Sequence, residues 1–378
     1  MKLIKFFLKL LVFFVIVIVF LNVFGGHKNS SPAHTKNNVA TSSAHTTASR
    51  SPSSPADIKN GVTPPTSAKV TPQASSNLKI KFGTYFAPRN FPASILELRD
   101  KEIEEYFTDL REVGDHSSQL VRWDEPELEG HMKEIVKRIK AHGFKVHLHL
   151  DPLTGWSHAT PAPPKSLGKT SFGDPEVRNA FIQKLLEFAA LKPDVLGMGT
   201  EVNLMLHEGH TKEFQNYVSL VKEAYKAIKA QYPSQKLAVS FSWDVMRSDN
   251  TYSALKEFEG ATDIYAFTSY PNILTVPGGN PLPNNFYDDI RNYLPTERIA
   301  ISEIGWYSGV NSSEESQTAF YKAFPGMLAR VYPEFVTQFV TYDYPKGVTS
   351  DERFRTLGVR HENGTPKKAW DVIHNYAK

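Results

Sequence analysis

Two glutamates each stand at the carboxyl end of a short apolar run. Glu201 ends DVLGMGTE and Glu303 ends IAISE. Both runs read as buried strands, where an unpaired charge costs several kcal/mol, so each glutamate needs a partner or a function. A salt bridge at the rim would explain either one alone. As a pair they suit retaining cleavage of a glycosidic bond, in which a carboxylic acid protonates the leaving oxygen and a carboxylate about 5–5.5 Å away attacks the anomeric carbon.

Polar side chains also end other predicted strands. Arg122 closes LVR, and Tyr270 closes TSY immediately before Pro271. The structural alternatives are an ion pair of Arg122 with Asp124 or Glu125, and a core position for Tyr270. Both residues are nevertheless candidates for the same site as the two glutamates.

The segment KVHLHLD, residues 145–151, alternates polar and apolar side chains. A strand sends alternate residues to opposite faces, so His147, His149 and Asp151 should share one face and the apolar residues should face the helices. Zinc binding by the His-x-His pair is the alternative. It would require further histidines on other strands, and the first and fifth predicted strands end in GTYF and SWD. We therefore interpret His149 and Asp151 as groups that hydrogen-bond sugar, and we expect no metal and no other cofactor.

Four of the five tryptophans fall at or just beyond predicted strand ends. Aromatic rings pack against the CH faces of pyranoses, while the indole N–H binds a hydroxyl. Core packing explains any single one of them but explains their common location less well. The pattern predicts a sugar-stacking platform formed by Trp123, Trp156, Trp243 and Trp306.

The elements that must position these residues follow a regular order from Leu78 onward. Short β-branched and aromatic runs alternate with amphipathic segments, which gives eight β/α units in about 300 residues. This count and size predict a (β/α)8 TIM barrel; a doubly wound open sheet is the alternative, but no glycine fingerprint for a nucleotide follows the first strand. The predicted strands are 78–86, 118–123, 144–150, 194–200, 236–243, 262–269, 298–303 and 335–342. The predicted helices are 93–113, 125–142, 175–191, 211–231, 250–259, 284–293, 314–331 and 366–376.

The first 77 residues differ in composition from the rest. Three lysines precede an apolar run, so residues 1–26 read as a signal anchor or signal peptide whose membrane span is 6–24. Residues 27–77 contain no Phe, Tyr or Trp and are rich in Ser, Thr and Pro, which predicts a disordered linker. By the positive-inside rule the catalytic domain, 78–378, would lie outside the cytoplasm, periplasmic or extracellular, or would be secreted if the signal is cleaved.

Charge and cysteine content exclude several classes of protein. The chain of 378 residues has a formal net charge of +3, but the first 77 residues hold eight basic residues and one acidic residue, so the remainder is slightly acidic. A basic nucleic-acid surface is therefore not indicated. The absence of cysteine excludes disulfides, iron–sulfur clusters, thiolate zinc sites and a cysteine nucleophile. We expect a monomeric barrel.

Two stretches carry a resemblance to known proteins. ISEIGWYS, residues 301–308, resembles the Ser/Thr-Glu-x-Gly-Trp segment of endo-β-1,4-galactanases and plant-type β-1,3-glucanases, and LGVRHENGTPKKAW, 357–370, is similar to the final barrel segment of many relatives. Over 78–378 the chain resembles the clan of retaining (β/α)8 glycoside hydrolases with catalytic glutamates after strands four and seven. The resemblance implies Glu201 as acid/base and Glu303 as nucleophile, with Arg122 and Tyr270 hydrogen-bonding the nucleophile and Arg122 holding it ionised.

The sequence departs from the clan pattern in two places. The clan usually has Asn immediately before the acid/base, where it binds the sugar 2-hydroxyl, and this chain has Thr200. Asn203, two residues beyond Glu201, is a candidate substitute. Strand eight offers Tyr342 where many clan members carry Trp. The expected activity is retaining hydrolysis of a β-linked polysaccharide; the alternative is a catalytically silent barrel that binds glycan at the membrane.

Overall fold

Eight parallel strands form a closed barrel in which each strand pairs with its neighbours in chain order and the eighth pairs with the first. The computed structural model describes residues 80–155, 157–275 and 281–376. The predicted TIM barrel is confirmed. The strands are β1 (Phe82–Tyr85), β2 (His116–Arg122), β3 (Lys145–Asp151), β4 (Val195–Met198), β5 (Leu237–Ser242), β6 (Ile264–Ser269), β7 (Ile299–Ile304) and β8 (Val336–Gln338).

Helices surround this barrel near the positions that the periodicity predicts. Their ends carry the expected chemistry: Asp174 accepts a hydrogen bond from the backbone N–H of Glu176, and Ser313 accepts one from Ser316. The α-helices are α1 (Ala93–Leu96), α2 (Asp100–Val113), α3 (Pro126–Ala141), α4 (Pro175–Ala190), α5 (Leu204–His207), α6 (Thr211–Gln231), α7 (Trp243–Asp249), α8 (Pro271–Leu274), α9 (Asp289–Tyr293), α10 (Glu314–Met327), α11 (Glu352–Arg355) and α12 (Lys368–His374).

Three predicted helices differ in the structure, and the one at 284–293 is helical only over α9, Asp289–Tyr293. The segment predicted at 93–113 is divided into α1 and α2, because Leu98 takes a left-handed conformation with φ 46°. The segment predicted at 250–259 is a 3₁₀ helix, Tyr252–Phe258. It follows α7, which is capped at its carboxyl end by Asn250 with φ 54°. Left-handed residues of this kind cannot continue a helix, and hydrophobic periodicity does not reveal them.

The two faces of the barrel wall differ in chemistry. On β3 the apolar residues Val146, Leu148 and Leu150 join the large core between strands and helices, as predicted. The polar set faces inward: the ring of His147 stacks on His116 at 4.3 Å between centroids, inside the barrel. Small apolar side chains and one phenylalanine close the amino end of the interior, namely Val195, Ala238, Ile264, Ala266, Ala300 and Phe335.

The predicted N-terminal segments cannot be compared with this architecture. The span 6–24 and the linker 27–77 lie outside the described residues. Within 80–155, 157–275 and 281–376, no helix is both long enough and apolar enough to cross a bilayer.

Candidate active site

Glu303 is a buried carboxylate at the carboxyl end of the barrel. It is 5% exposed and accepts hydrogen bonds from two tyrosine hydroxyls, Tyr85 to Oε1 at 2.8 Å and Tyr270 to Oε2 at 2.5 Å. Tyr85 ends β1 and Tyr270 follows β6 directly. Both oxygens of the carboxylate are therefore fixed in orientation before any substrate arrives.

A bulge in β7 turns Glu303 toward this mouth. Ile301 pairs with Phe267, but the next pair along the ladder is Glu303 with Thr268, so Ser302 is an extra residue in β7. Strict alternation would place Glu303 on the same face as Ile301, which packs into the helix-facing core. Because of the extra residue, Glu303 lies on the opposite face from Ile301, and its carboxylate points into the barrel opening.

Glu201 lies two residues beyond an abrupt turn at the end of β4. Gly199 has φ 107° and Glu201 itself has φ 52°, a conformation that a glutamate adopts only when its surroundings enforce it. Thr268 donates a hydrogen bond of 2.5 Å to Oε1 of Glu201. Since Thr268 is also the ladder partner of Glu303, the structure brings the two glutamates to the same mouth, as the sequence predicted.

The electrostatics of Glu303 differ from what the resemblance implies. Burial, and then the charge of Glu201, raise the pKa of Glu303 to about 7, although Tyr270, Tyr85 and His158 act in the opposite direction. Burial, and then the charge of Glu303, raise the pKa of both tyrosines well above 10, so both remain protonated donors. Burial and the neighbouring carboxylate therefore favour the protonated form of Glu303 more than in an exposed glutamate.

His158 is a site residue that the sequence analysis missed. It lies in the loop after β3, is 6% exposed and places Nδ1 3.1 Å from Oδ2 of Asp151 and Nε2 3.7 Å from Oε2 of Glu201. Burial alone would lower its pKa, but the charges of Asp151, Glu201 and Glu303 raise the pKa to about 9. These three carboxylates therefore favour the protonated, cationic ring at neutral pH. No local pattern marks this loop position.

Asp244 is a second missed residue, and its role is to hold Tyr270. Its Oδ2 accepts the backbone N–H of Tyr270 at 2.7 Å, and its Oδ1 accepts the hydroxyl of Thr275 at 2.9 Å. Burial raises the pKa of Asp244 to about 6. Asp244, like Tyr85 and Thr268, is a polar residue at a strand end, so the rule that identified Tyr270 also applies to these three.

Two predicted contacts are wrong. Arg122 does not reach Glu303, because its guanidinium forms ion pairs with Asp124 at 3.4 Å and Glu125 at 3.0 Å, which was the alternative interpretation. Asn203 does not offer its amide to a sugar. Its Oδ1 accepts the backbone N–H of Ser242 at 2.7 Å and its Nδ2 donates to the Ser242 carbonyl at 3.1 Å, so it ties β4 to β5.

The predicted tryptophan platform is also wrong for the three described members. Trp123, Trp243 and Trp306 are at most 2% exposed and belong to the core. The Trp243 indole donates to the Phe286 carbonyl, and Trp306 stacks on Phe320. The fourth member, Trp156, lies outside the described residues.

Tyr342 points away from the two glutamates. Its hydroxyl donates to Asp109 on α2 at 2.6 Å, which removes it from the predicted set of substrate contacts. Phe339, and not Tyr342, packs beside the two tyrosines that bond to Glu303. Its ring centroid lies 5.6 Å from that of Tyr85 and 5.7 Å from that of Tyr270, so the wall of the mouth near Glu303 is aromatic.

His149 and Asp151 lie inside the barrel, as predicted. The ring of His149 occupies the space beside Gly197 of β4, where an added Cβ would lie 2.2 Å from its Nδ1. Its Nε2 has no hydrogen-bond partner, and burial lowers its pKa to about 4, so the ring is neutral. Asp151 uses Oδ1 to accept the Leu153 N–H at 3.2 Å and faces His158 with Oδ2. Among the described residues, no group of three or more histidines and carboxylates could hold a metal ion.

A closed parallel barrel with glutamates after β4 and β7 is typical of retaining (β/α)8 glycosidases. The chain belongs to glycosyl hydrolase family 53, whose family model matches residues 127–333. A comparison with curated proteins finds no match.

Solved structures with the same fold include other glycosidases. An exo-β-1,4-mannosidase, Op5Man5, from Opitutaceae bacterium strain TAV5 is 14% identical, with a TM-score of 0.62; the alignment covers 79% of this chain but only 59% of the mannosidase. Two GH5_18 enzymes were solved as glutamate-to-alanine variants in complex with Manβ1-4GlcNAc. The one from Streptomyces cattleya is 14% identical over 79% of this chain and 80% of its own, with a TM-score of 0.59. The one from Bifidobacterium longum is 15% identical over 79% and 78%, with a TM-score of 0.62.

Proposed function

We propose that this chain hydrolyses a β-linked polysaccharide by double displacement, with Glu201 as general acid and base and Glu303 as nucleophile. The observation that supports these roles is the position of Thr268, whose hydroxyl bonds to Glu201 and whose backbone is the ladder partner of Glu303. A catalytic pair must flank one glycosidic bond, and this common neighbour brings the two glutamates to adjacent positions at the barrel mouth.

In the first step an oxygen of Glu303 bonds to the anomeric carbon while the bond from that carbon to the leaving oxygen breaks. Glu201 gives its proton to the leaving oxygen, which departs as a hydroxyl of the shortened chain. In the second step Glu201 takes a proton from water, the water oxygen bonds to the anomeric carbon and Glu303 leaves as a carboxylate. Tyr85 and Tyr270 keep Glu303 aligned in both steps.

A polysaccharide substrate is favoured by the proteins that the chain resembles. A cleft of about 850 Å³ lies between the loops after β1, β7 and β8, but neither Glu201 nor Glu303 lines it. The resemblance to endo-β-1,4-galactanases and the β-1,4-linked ligand of the similar structures make β-1,4-galactan and β-1,4-mannan the first candidates.

The full chain should be screened against β-1,4-galactan, β-1,4-mannan, β-1,3-glucan and Manβ1-4GlcNAc, with product sizes recorded. Glu201→Gln and Glu303→Gln should each lower kcat on the cleaved glycan by about 10²–10⁴-fold while binding persists. Glu223→Gln is the matched control, because Glu223 lies on the surface and pairs with Arg178. Unchanged turnover in both active-site variants would disprove these roles. Binding of a glycan without cleavage by the unmodified chain would indicate the silent glycan-binding barrel.

We further propose that residues 6–24 anchor the chain in a membrane and that the linker 27–77 carries the barrel, 78–378, outside the cytoplasm. The supporting observation is the long apolar run after three lysines. An uncleaved anchor should keep the full-length protein in the membrane fraction through a carbonate wash. A soluble product that begins after Gly25 would identify a cleaved signal peptide and a secreted enzyme.

A further inference from the structure

We propose that His158 is a positioning residue for Glu201, holding the carboxylate in place and stabilising its negative charge when the proton has left. The inference rests on the proposed roles of Glu201 and Glu303 and adds a residue from a different loop. It stands on a two-sided contact, in which the imidazole lies between Asp151 and Glu201.

The loop after β3 is folded so that His158 returns to the barrel mouth. The backbone N–H of Thr154 donates a hydrogen bond to the carbonyl of Thr160, and the hydroxyls of the same two residues are hydrogen-bonded to each other. Leu153 forms an antiparallel β-bridge with Pro161. At the tip His158 takes φ 42°, and its N–H donates to the Thr154 carbonyl at 2.9 Å. A left-handed histidine held by its own loop indicates that the structure enforces this orientation.

The surroundings of the ring are those of a buried cation. The charged groups facing it are Asp151 from β3, Glu201 after β4 and Glu303 from β7, and all three are acidic. Asp151 is 1% exposed, so its attraction for the ring is weakly screened by solvent. The charge of Asp151, with Oδ2 3.1 Å from Nδ1, therefore favours the protonated ring, and Nε2 lies 3.7 Å from Oε2 of Glu201.

The contribution to the reaction follows from where the proton goes. When Glu201 gives its proton to the leaving oxygen, the resulting carboxylate lies beside the imidazolium, which lowers the energy of that charge. When water is deprotonated in the second step, Glu201 becomes neutral and the imidazolium keeps its own proton. His158 also lowers the pKa of Glu303 and so increases the fraction of nucleophile that is ionised.

The first test reads the charge of His158 directly by NMR titration of its imidazole in the full chain. We expect a pKa of about 9. Glu201→Gln should lower it by about one unit, because one of the facing charges is removed. His142→Gln, which alters a surface histidine paired with Glu104 at the opposite end of the barrel, should leave it unchanged. A value near 6.5, or no response to Glu201→Gln, would overturn the proposal whether or not a substrate has been found.

The second test is the pH–rate profile of His158→Gln on the glycan that the screen identifies. Loss of the cation should raise the pKa of Glu303, so the acid limb should move to higher pH, and kcat should fall more than KM changes. If the variant folds normally and its acid limb does not move, His158 has no effect on the ionisation of the active-site carboxylates and the proposal is wrong. If the unmodified chain cleaves no glycan, the proposed function fails, while the NMR titration still decides the contact between His158 and Glu201.

Discussion

Thr268 donates its hydroxyl to Oε1 of Glu201 from the strand next to the one that carries Glu303. The Thr268 side chain is fully buried, and that of Glu201 is 13% exposed. One small hydroxyl therefore holds the carboxylate of the proposed acid/base against the strand that pairs with the strand of the proposed nucleophile.

Thr268→Val tests that relation because valine keeps the shape and removes the donor. We expect kcat to fall about tenfold, which corresponds to about 1.4 kcal/mol of lost alignment, with a smaller change in stability. Thr262→Val is the control, since Thr262 bonds only to backbone carbonyls, of Leu237 and Ile264, before β6. Equal losses of kcat in the two variants would mean that removing any threonine hydroxyl near β6 lowers activity, and that the bond from Thr268 to Glu201 has no special role.

The tyrosine pair predicts a pH dependence. Both hydroxyls favour the ionised form of Glu303, whose pKa is about 7. Tyr85→Phe or Tyr270→Phe should therefore raise that pKa, and the acid limb of the pH–rate profile should move upward by about half to one pH unit. Tyr225→Phe removes a surface hydroxyl that donates to Asp263 and should leave the limb in place. A downward shift would contradict the donor geometry.

Double displacement predicts the stereochemistry of the product. Attack by Glu303 inverts the anomeric carbon, and attack by water inverts it again, so the first-formed reducing end should have the configuration of the substrate. Proton NMR during the first minutes of hydrolysis separates the two anomers. Release of the opposite anomer would mean that the two carboxyl groups flank a water molecule, and Glu303 would not be the nucleophile.

The interior histidines predict loss of stability in acid. Burial lowers the pKa of His116, His147 and His149, the last to about 4. The unfolded chain, with histidine pKa near 6.5, then binds more protons as pH falls, so unfolding becomes more favourable below that value. His149 alone should cost about 2 kcal/mol by pH 5. Glu303 and Asp244, whose pKa values are raised, act in the opposite direction over the same pH interval. Urea unfolding of the unmodified chain and of His149→Asn, each at neutral pH and near pH 5, therefore isolates the histidine contribution, and the variant should lose about 2 kcal/mol less on acidification.

Gly197 predicts a sharp contrast between two glycine substitutions. A Cβ at this position would lie 2.2 Å from the His149 ring, inside a packed barrel. Gly197→Ala should therefore lower the free energy of unfolding by about 1–3 kcal/mol or more. Gly130→Ala, on an exposed face of α3 with nothing within 4 Å of its added Cβ, should raise it by about 0.5–1 kcal/mol. Equal tolerance of both changes would mean that His149 does not occupy this space.

Local pattern was sufficient for the architecture. The order of eight strands and their helices, and the inward direction of His147, His149 and Asp151, follow from periodicity, because alternation along a strand is a property of the backbone itself. The presence of Glu201 and Glu303 at one mouth follows as well, since parallel strands in a barrel all end on the same side. These features depend on a few neighbouring residues and one rule of topology.

Tertiary structure decided which side chains meet. The extra residue in β7 reverses the face of Glu303, a loop brings His158 back to Glu201 and Arg122 turns to its own neighbours. The bulge and the loop have no local sequence signal. For Arg122 the sequence offered both a distant partner, Glu303, and near ones, Asp124 and Glu125, and the choice between them is settled only when the barrel has closed and buried charges must be paired. The sequence by itself determined the scaffold and its two glutamates, whereas the contacts that orient and charge them required the folded chain.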